Sequence, residues 1–208
     1  MSAVLTFIKN GGVMMYPLIL CSIALIAIAI ERAISLRKAA VDGDNLLDMV
    51  KATYKPNSES DRAKAIAICE SIGGPVGRMF ARGLKNAHRP ADAIEMAMEQ
   101  EAANEIPQLE AYLPALKTIV NISPLLGLLG TIAGMIASFH AASQSGLSNP
   151  TQVLAGISEA LVSTATGISL AVLGFLCYNY FANLSKKIVE DMEYYGSELV
   201  NFLTGRVD

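Results

Sequence analysis

Tryptophan is absent from this 208-residue chain, there are two histidines and three cysteines, and only 17% of residues are charged. Each scarcity excludes something. Two histidines, His88 and His140, far apart in the chain, with no nucleophile beside a candidate base, leave no catalytic constellation and predict a non-enzymatic protein. Cys21, Cys69 and Cys177 have neither CxxC spacing nor partner histidines, so they read as small apolar fillers, with no metal and no cofactor expected. No basic stripe is present, which argues against nucleic acid. The sharpest scarcity is local: between Thr118 and Ser185 the only carboxylate is Glu159, and no Lys or Arg occurs at all.

What fills that space is apolar, as 52% of the chain is hydrophobic. A spanning helix needs about 20 predominantly apolar residues, and three segments qualify. The expected layout is all-α: an N-terminal stretch over 1–12, a first span over 13–36, a helical polar region over 37–117 and a second span over 118–143. A polar turn over 144–152, a third span over 153–185 and a C-terminal helix over 186–208 complete it. The first apolar run is too long for a signal peptide and lacks a small-residue cleavage pattern, so it reads as a retained anchor. Arg32, Arg37, Lys38, Lys117, Lys186 and Lys187 flank the same ends of the spans, against Lys9 on the other side. The positive-inside rule then puts the N-terminus outside and the C-terminus in the cytoplasm.

Within the polar region the spacing predicts a helix over Asp44–Tyr54 with Leu46, Leu47 and Val50 on one face. A second is capped by Ser60, with Ile66, Ala67 and Cys69 inside it, and ends at Gly73, Gly74 and Pro75. A third runs over Val76–Ala87 with Met79, Phe80, Gly83 and Leu84 as its stripe. From Ala91 an apolar stripe continues without a stop into the second span, bent at Pro107 and Pro114. The third span continues likewise through Leu184, Ile188, Met192, Tyr195, Leu199 and Phe202. Two membrane helices therefore extend far into the cytoplasm, and their stripes call for cover by the polar region and by copies of the chain in a closed ring.

The second span reads S-P-L-L-G-L-L-G-T-I-A-G-M, Ser123 to Met135. Gly127, Gly130 and Gly134, with Gly156 and Gly167 on the third span, are candidate sites of close helix approach. At 100° per residue Glu159, Ser163 and Thr166 form one polar stripe, with Thr164 on another face. A carboxylate within a span costs on the order of 2.5–3.5 kcal/mol even on lenient scales, which marks Glu159 as a candidate ion-path residue or a group at the outer interface. Each hydroxyl taken alone reads better as a side chain bonded back to its own helix, whereas a whole stripe ending in a carboxylate points to a water-containing path. His140 reads as interfacial rather than as a proton relay.

Together with G-I-S-E-A-L-V-S-T-A-T-G, Gly156 to Gly167, the second-span motif resembles the MotA/TolQ/ExbB proton-channel family, in its three-span ExbB/TolQ-like branch. The resemblance implies the channel subunit of an inner-membrane motor driven by the proton-motive force. It implies a homo-oligomer, a pentamer, around an ExbD/TolR-like single-span partner that carries a protonatable aspartate and works on a TonB- or TolA-like protein. It implies that Thr131 and Thr164 face the pore and that Glu159 borders the path, which moves Thr164 onto the lumen against the wheel argument. Ile132, Ala133 and the L-A-G-I ending at Ile157 depart from many ExbB and TolQ sequences, so the branch and the ion, proton or sodium, stay open. A solute transporter subunit and a passive membrane scaffold remain as alternatives from other functional classes.

Overall fold

A computed structural model describes residues 12–56, 58–145 and 150–206. Every element among them is an α-helix: α1 (Met15–Ala39), α2 (Gly43–Thr53), α3 (Glu59–Ile72), α4 (Gly74–Lys85), α5 (Ala91–Leu109), α6 (Leu113–Ser145) and α7 (Pro150–Thr204). Three stretches, within α1, α6 and α7, are long and apolar enough to cross a membrane. The tip of the polar turn expected over 144–152 lies outside the described residues, as does the N-terminal stretch through residue 11. Two compact units are present: residues 12–31 with Tyr112–Tyr180, and Arg32–Ala111 with residues 181–206.

In the second unit, local capping sets where the helices start. The Asp42 carboxylate accepts from the Asn45 amide at 3.2 Å and opens α2, which buries Leu46, Leu47 and Val50. Ser58, not Ser60, caps α3, accepting from the Asp61 amide at 3.2 Å. That earlier start puts Glu59 and Asp61 in the first turn, where carboxylates complement the helix dipole. Ala65 and Cys69, four residues apart, face inward, whereas Ala67 is exposed. Gly73 and Gly74 take φ of 70° and 69°, a left-handed geometry that only glycine adopts without strain. α4 therefore begins at Gly74, two residues before the expected Val76, with Pro75 in a first turn that needs no amide from it. Its face of Val76, Met79, Phe80 and Leu84 is buried. In α7, Ile188, Met192 and Leu199 are buried in the same unit.

The stripe from Ala91 does not run unbroken into the second span. α5 ends at Leu109, Tyr112 takes φ 61°, and α6 restarts at Leu113. Neither proline sits at the break: Pro107 lies inside α5 and Pro114 in the first turn of α6. The buried Arg32 explains the stop, since its Nη1 donates to the carbonyl oxygens of Gln108 at 2.9 Å and Leu109 at 3.3 Å. A guanidinium on the last carbonyls satisfies acceptors that a continuing helix would have used, and it complements the negative end of the dipole.

Also in this unit, Glu105 of α5, 4% exposed, holds Arg78 of α4 through both carboxylate oxygens, at 2.5 Å each. The carboxylate keeps the Arg78 guanidinium protonated even above its ordinary range. Such a bidentate charge-assisted pair fixes the packing of α4 on α5.

Candidate functional site

The first unit contains the carboxylate and hydroxyls singled out above. α6 and α7 meet along small residues: Ser123, Gly127, Gly130, Gly134 and Ser138 on α6 and Gly156, Ala160, Ser163 and Gly167 on α7. All are spaced three or four apart, so each set forms one ridge. The approach is close enough that a methyl on Gly127 would lie 3.0 Å from the Thr164 Cα, and one on Gly134 would lie 2.9 Å from the Gly156 carbonyl oxygen. Gly167 lies against the Ser123 carbonyl and the Gly127 backbone. Without a hydrophobic driving force between helices in lipid, such backbone proximity supplies the attraction through dispersion and interhelical hydrogen bonds.

A side-chain hydrogen bond crosses the seam. Thr164 donates its hydroxyl to the Gly127 carbonyl oxygen at 2.9 Å. The other hydroxyls that bond do so within their own helices: Ser123 to Ile119 at 2.6 Å, Thr131 to Leu128 at 2.6 Å, Ser138 to Gly134 at 2.8 Å and Thr166 to Val162 at 2.8 Å. Ser163 is fully buried against Gly130, and its hydroxyl has no hydrogen-bond partner among the described residues.

This geometry divides the expected polar stripe. Ser163 and Thr164 both belong to the α6 contact, whereas Thr166 is half-buried and satisfied by its own helix. On α7 alone Thr164 points away from Glu159, but α6 supplies it an acceptor at a glycine. Thr131, about 40° around α6 from Gly127, lies at the border of the seam and is half-buried. Glu159 is half-buried with its carboxylate against Gly12, just ahead of α1. Gly12 has φ 69°, so it combines a left-handed turn with space that any larger residue would take from the carboxylate. The sequence holds no signal for that pairing, since Gly12 precedes the first span and Glu159 lies on the third.

Large apolar side chains remain exposed on both long helices. Leu125, Ile136 and Phe139 on α6 are 63%, 64% and 71% exposed, and Leu161, Leu173 and Leu176 on α7 are 63%, 60% and 61% exposed. These surfaces face lipid or other chains, because a patch of this size is not left in water. Among the described residues no group of three or more His, Cys, Asp or Glu could hold a metal ion.

A model of the MotA/TolQ/ExbB proton channel family matches residues 72–194, which include the whole α6–α7 seam. The chain is 32% identical over 198 residues to "Putative biopolymer transport protein ExbB-like 1" of Synechocystis, covering 93% of this chain and 76% of the relative. It is 33% identical over 176 residues to ExbB-like 3 of the same organism, covering 84% and 82%. With the "Tol-Pal system protein TolQ" of Pseudomonas aeruginosa it shares 34% identity over 98 residues, 47% of this chain and 42% of the relative. Three membrane-length helices, a glycine-and-hydroxyl seam between the last two, and these matches lead to one conclusion: the chain belongs to the MotA/TolQ/ExbB proton channel family and is a multi-pass inner-membrane protein.

Proposed function

We propose that this chain is the channel-forming subunit of an ExbB/TolQ-like motor. Copies assemble as a ring, a pentamer, around the membrane helices of an ExbD/TolR-like single-span partner, and ion flow is coupled to work on a TonB- or TolA-like protein. The observation that carries this reading is the half-buried Glu159 beside a seam of glycines and hydroxyls in spans otherwise free of charge. The exposed apolar faces of α6 and α7 support assembly with further helices. Thr131, Thr164 and Thr166 contribute hydroxyls to the ion path, with Glu159 on its border and Ser163 behind them in the α6 contact. Protonation of an aspartate on the partner removes its charge cost in the pore and lets ring and partner move relative to each other. The N-terminus lies on the periplasmic side and the C-terminus in the cytoplasm.

The test is proton uptake into liposomes containing this chain with its partner, read with an internal pH-sensitive dye. Glu159→Gln and Thr131→Ala should each reduce uptake at least tenfold while leaving the assembly intact. Unchanged uptake and unchanged force-dependent function in both variants would favour a passive scaffold. Replacing the proton gradient with a sodium gradient distinguishes the two ions.

A further inference from the structure

The second unit contains an apolar cavity of about 380 Å³ between α5 and the C-terminal part of α7. Met79, Met98 and Met192 are buried side chains lining it, and Gly196 keeps its wall low, with the terminal methyls of Met79 and Met98 close by. Methionine is unbranched and polarizable, so a surface lined with it can adapt to side chains of varied shape. Three exposed carboxylates, Glu95, Glu99 and Glu193, surround the opening. None of the three forms a hydrogen bond or ion pair among the described residues.

We propose that this groove docks a cationic amphipathic helix from another polypeptide, its apolar face on the half-buried Ala102, Ile106 and Val189 above the methionines and its Lys or Arg residues on the glutamate rim. Helix-in-groove recognition needs an apolar trough matched to an i, i+3, i+4 stripe, and the trough runs between two helices as that mode requires. Charge selects the occupant. Three uncompensated carboxylates on the rim oppose an anionic or neutral helix and favour a cationic one, by steering and by rejection of wrong partners. A second copy of this chain fits poorly: among the described residues of this unit the exposed large apolar ones, Ile34, Met49, Ile72, Met96 and Tyr194, stand singly on five different helices and form no basic apolar ridge. The proposal is independent of whether the channel conducts.

The experiment uses the full chain in phosphatidylcholine nanodiscs with methyl-labelled methionine. The probes are an 18-residue Leu/Lys amphipathic helix and a Leu/Glu helix of the same pattern, with empty nanodiscs subtracted. The Leu/Lys helix should shift the methyl signals of Met79, Met98 and Met192, identified by single Met→Leu variants, and the Leu/Glu helix should not. Glu95→Gln, Glu99→Gln and Glu193→Gln combined, all on exposed side chains, should weaken binding at least tenfold, and raised salt should do the same. Equal binding of both probes, or binding unchanged in the triple variant, overturns the proposal. So does a photocrosslinker at Ser197 that joins two copies of this chain through the groove.

Discussion

The Thr164 hydroxyl and the Gly127 carbonyl oxygen are joined across the α6–α7 seam at 2.9 Å. The bond is possible because Gly127 has no side chain between the two backbones, so a residue on one span is defined by an absence on the other. Thr164→Val keeps the shape and removes the donor. It should destabilise the membrane unit by about 0.6–1.7 kcal/mol, with Thr164→Ser recovering most of the loss. Thermal unfolding in a fixed detergent reads the difference, and an unchanged midpoint in Thr164→Val would show that the hydrogen bond contributes nothing.

Gly130 lies directly on the buried Ser163 side chain. Gly130→Ala should therefore lower the unfolding midpoint, with overpacking costing about 1–3 kcal/mol. Ser163→Gly in the same chain should restore part of it, because it removes the atoms that the new methyl meets. A double-mutant cycle with no coupling between the two positions would count against this packing.

Arg78 and Glu105 form a pair in which the Glu105 side chain is buried, 5% exposed, while the Arg78 side chain remains 47% exposed. Removing the cation alone strands the charge. Arg78→Met should cost about 1–3 kcal/mol because it leaves the buried Glu105 carboxylate without its donor, and Arg78→Met with Glu105→Met should cost less than the single change. Denaturant titration of both variants decides it.

Cys69 is fully buried, and that burial pushes its thiol from 9.0 up to about 12. A group whose folded value is raised holds its proton longer in the fold than in the unfolded chain. The associated stability is intact below pH 9.0 and is lost as pH rises toward about 12. Cys69→Ala should flatten that part of the stability profile relative to the parent chain, and Cys69 should react with thiol reagents at neutral pH only on unfolding.

Arg32→Ala removes the cation on the last carbonyls of α5. Loss of a capping interaction to buried acceptors should cost about 1–3 kcal/mol and speed amide exchange in the last turn of α5. Arg32→Lys should recover only part, since a point charge cannot reproduce the planar fork.

The helices of this protein, their apolar stripes and the three membrane-length runs were legible from the chain, because periodicity and span length are properties of contiguous residues. So were the glycines, the hydroxyls and the isolation of Glu159, which are facts of composition along a line. Helix ends were legible only to within a few residues: Ser58 outcompetes Ser60 as a cap by fitting the amide of Asp61, and the geometry of both glycines, not only the first, decides where α4 begins. Other features required three dimensions. The stop between α5 and α6 depends on a guanidinium 76 positions away in sequence from its nearer carbonyl partner, and local propensity carries no trace of it. Thr164 could be grouped with Ser163 only once α6 stood opposite, since a helical wheel describes one helix and a seam belongs to two. Glu159 was conspicuous in the sequence as a lone charge; that it lies against Gly12 was decided by tertiary packing, because sequence records which groups exist and only the fold sets which of them meet.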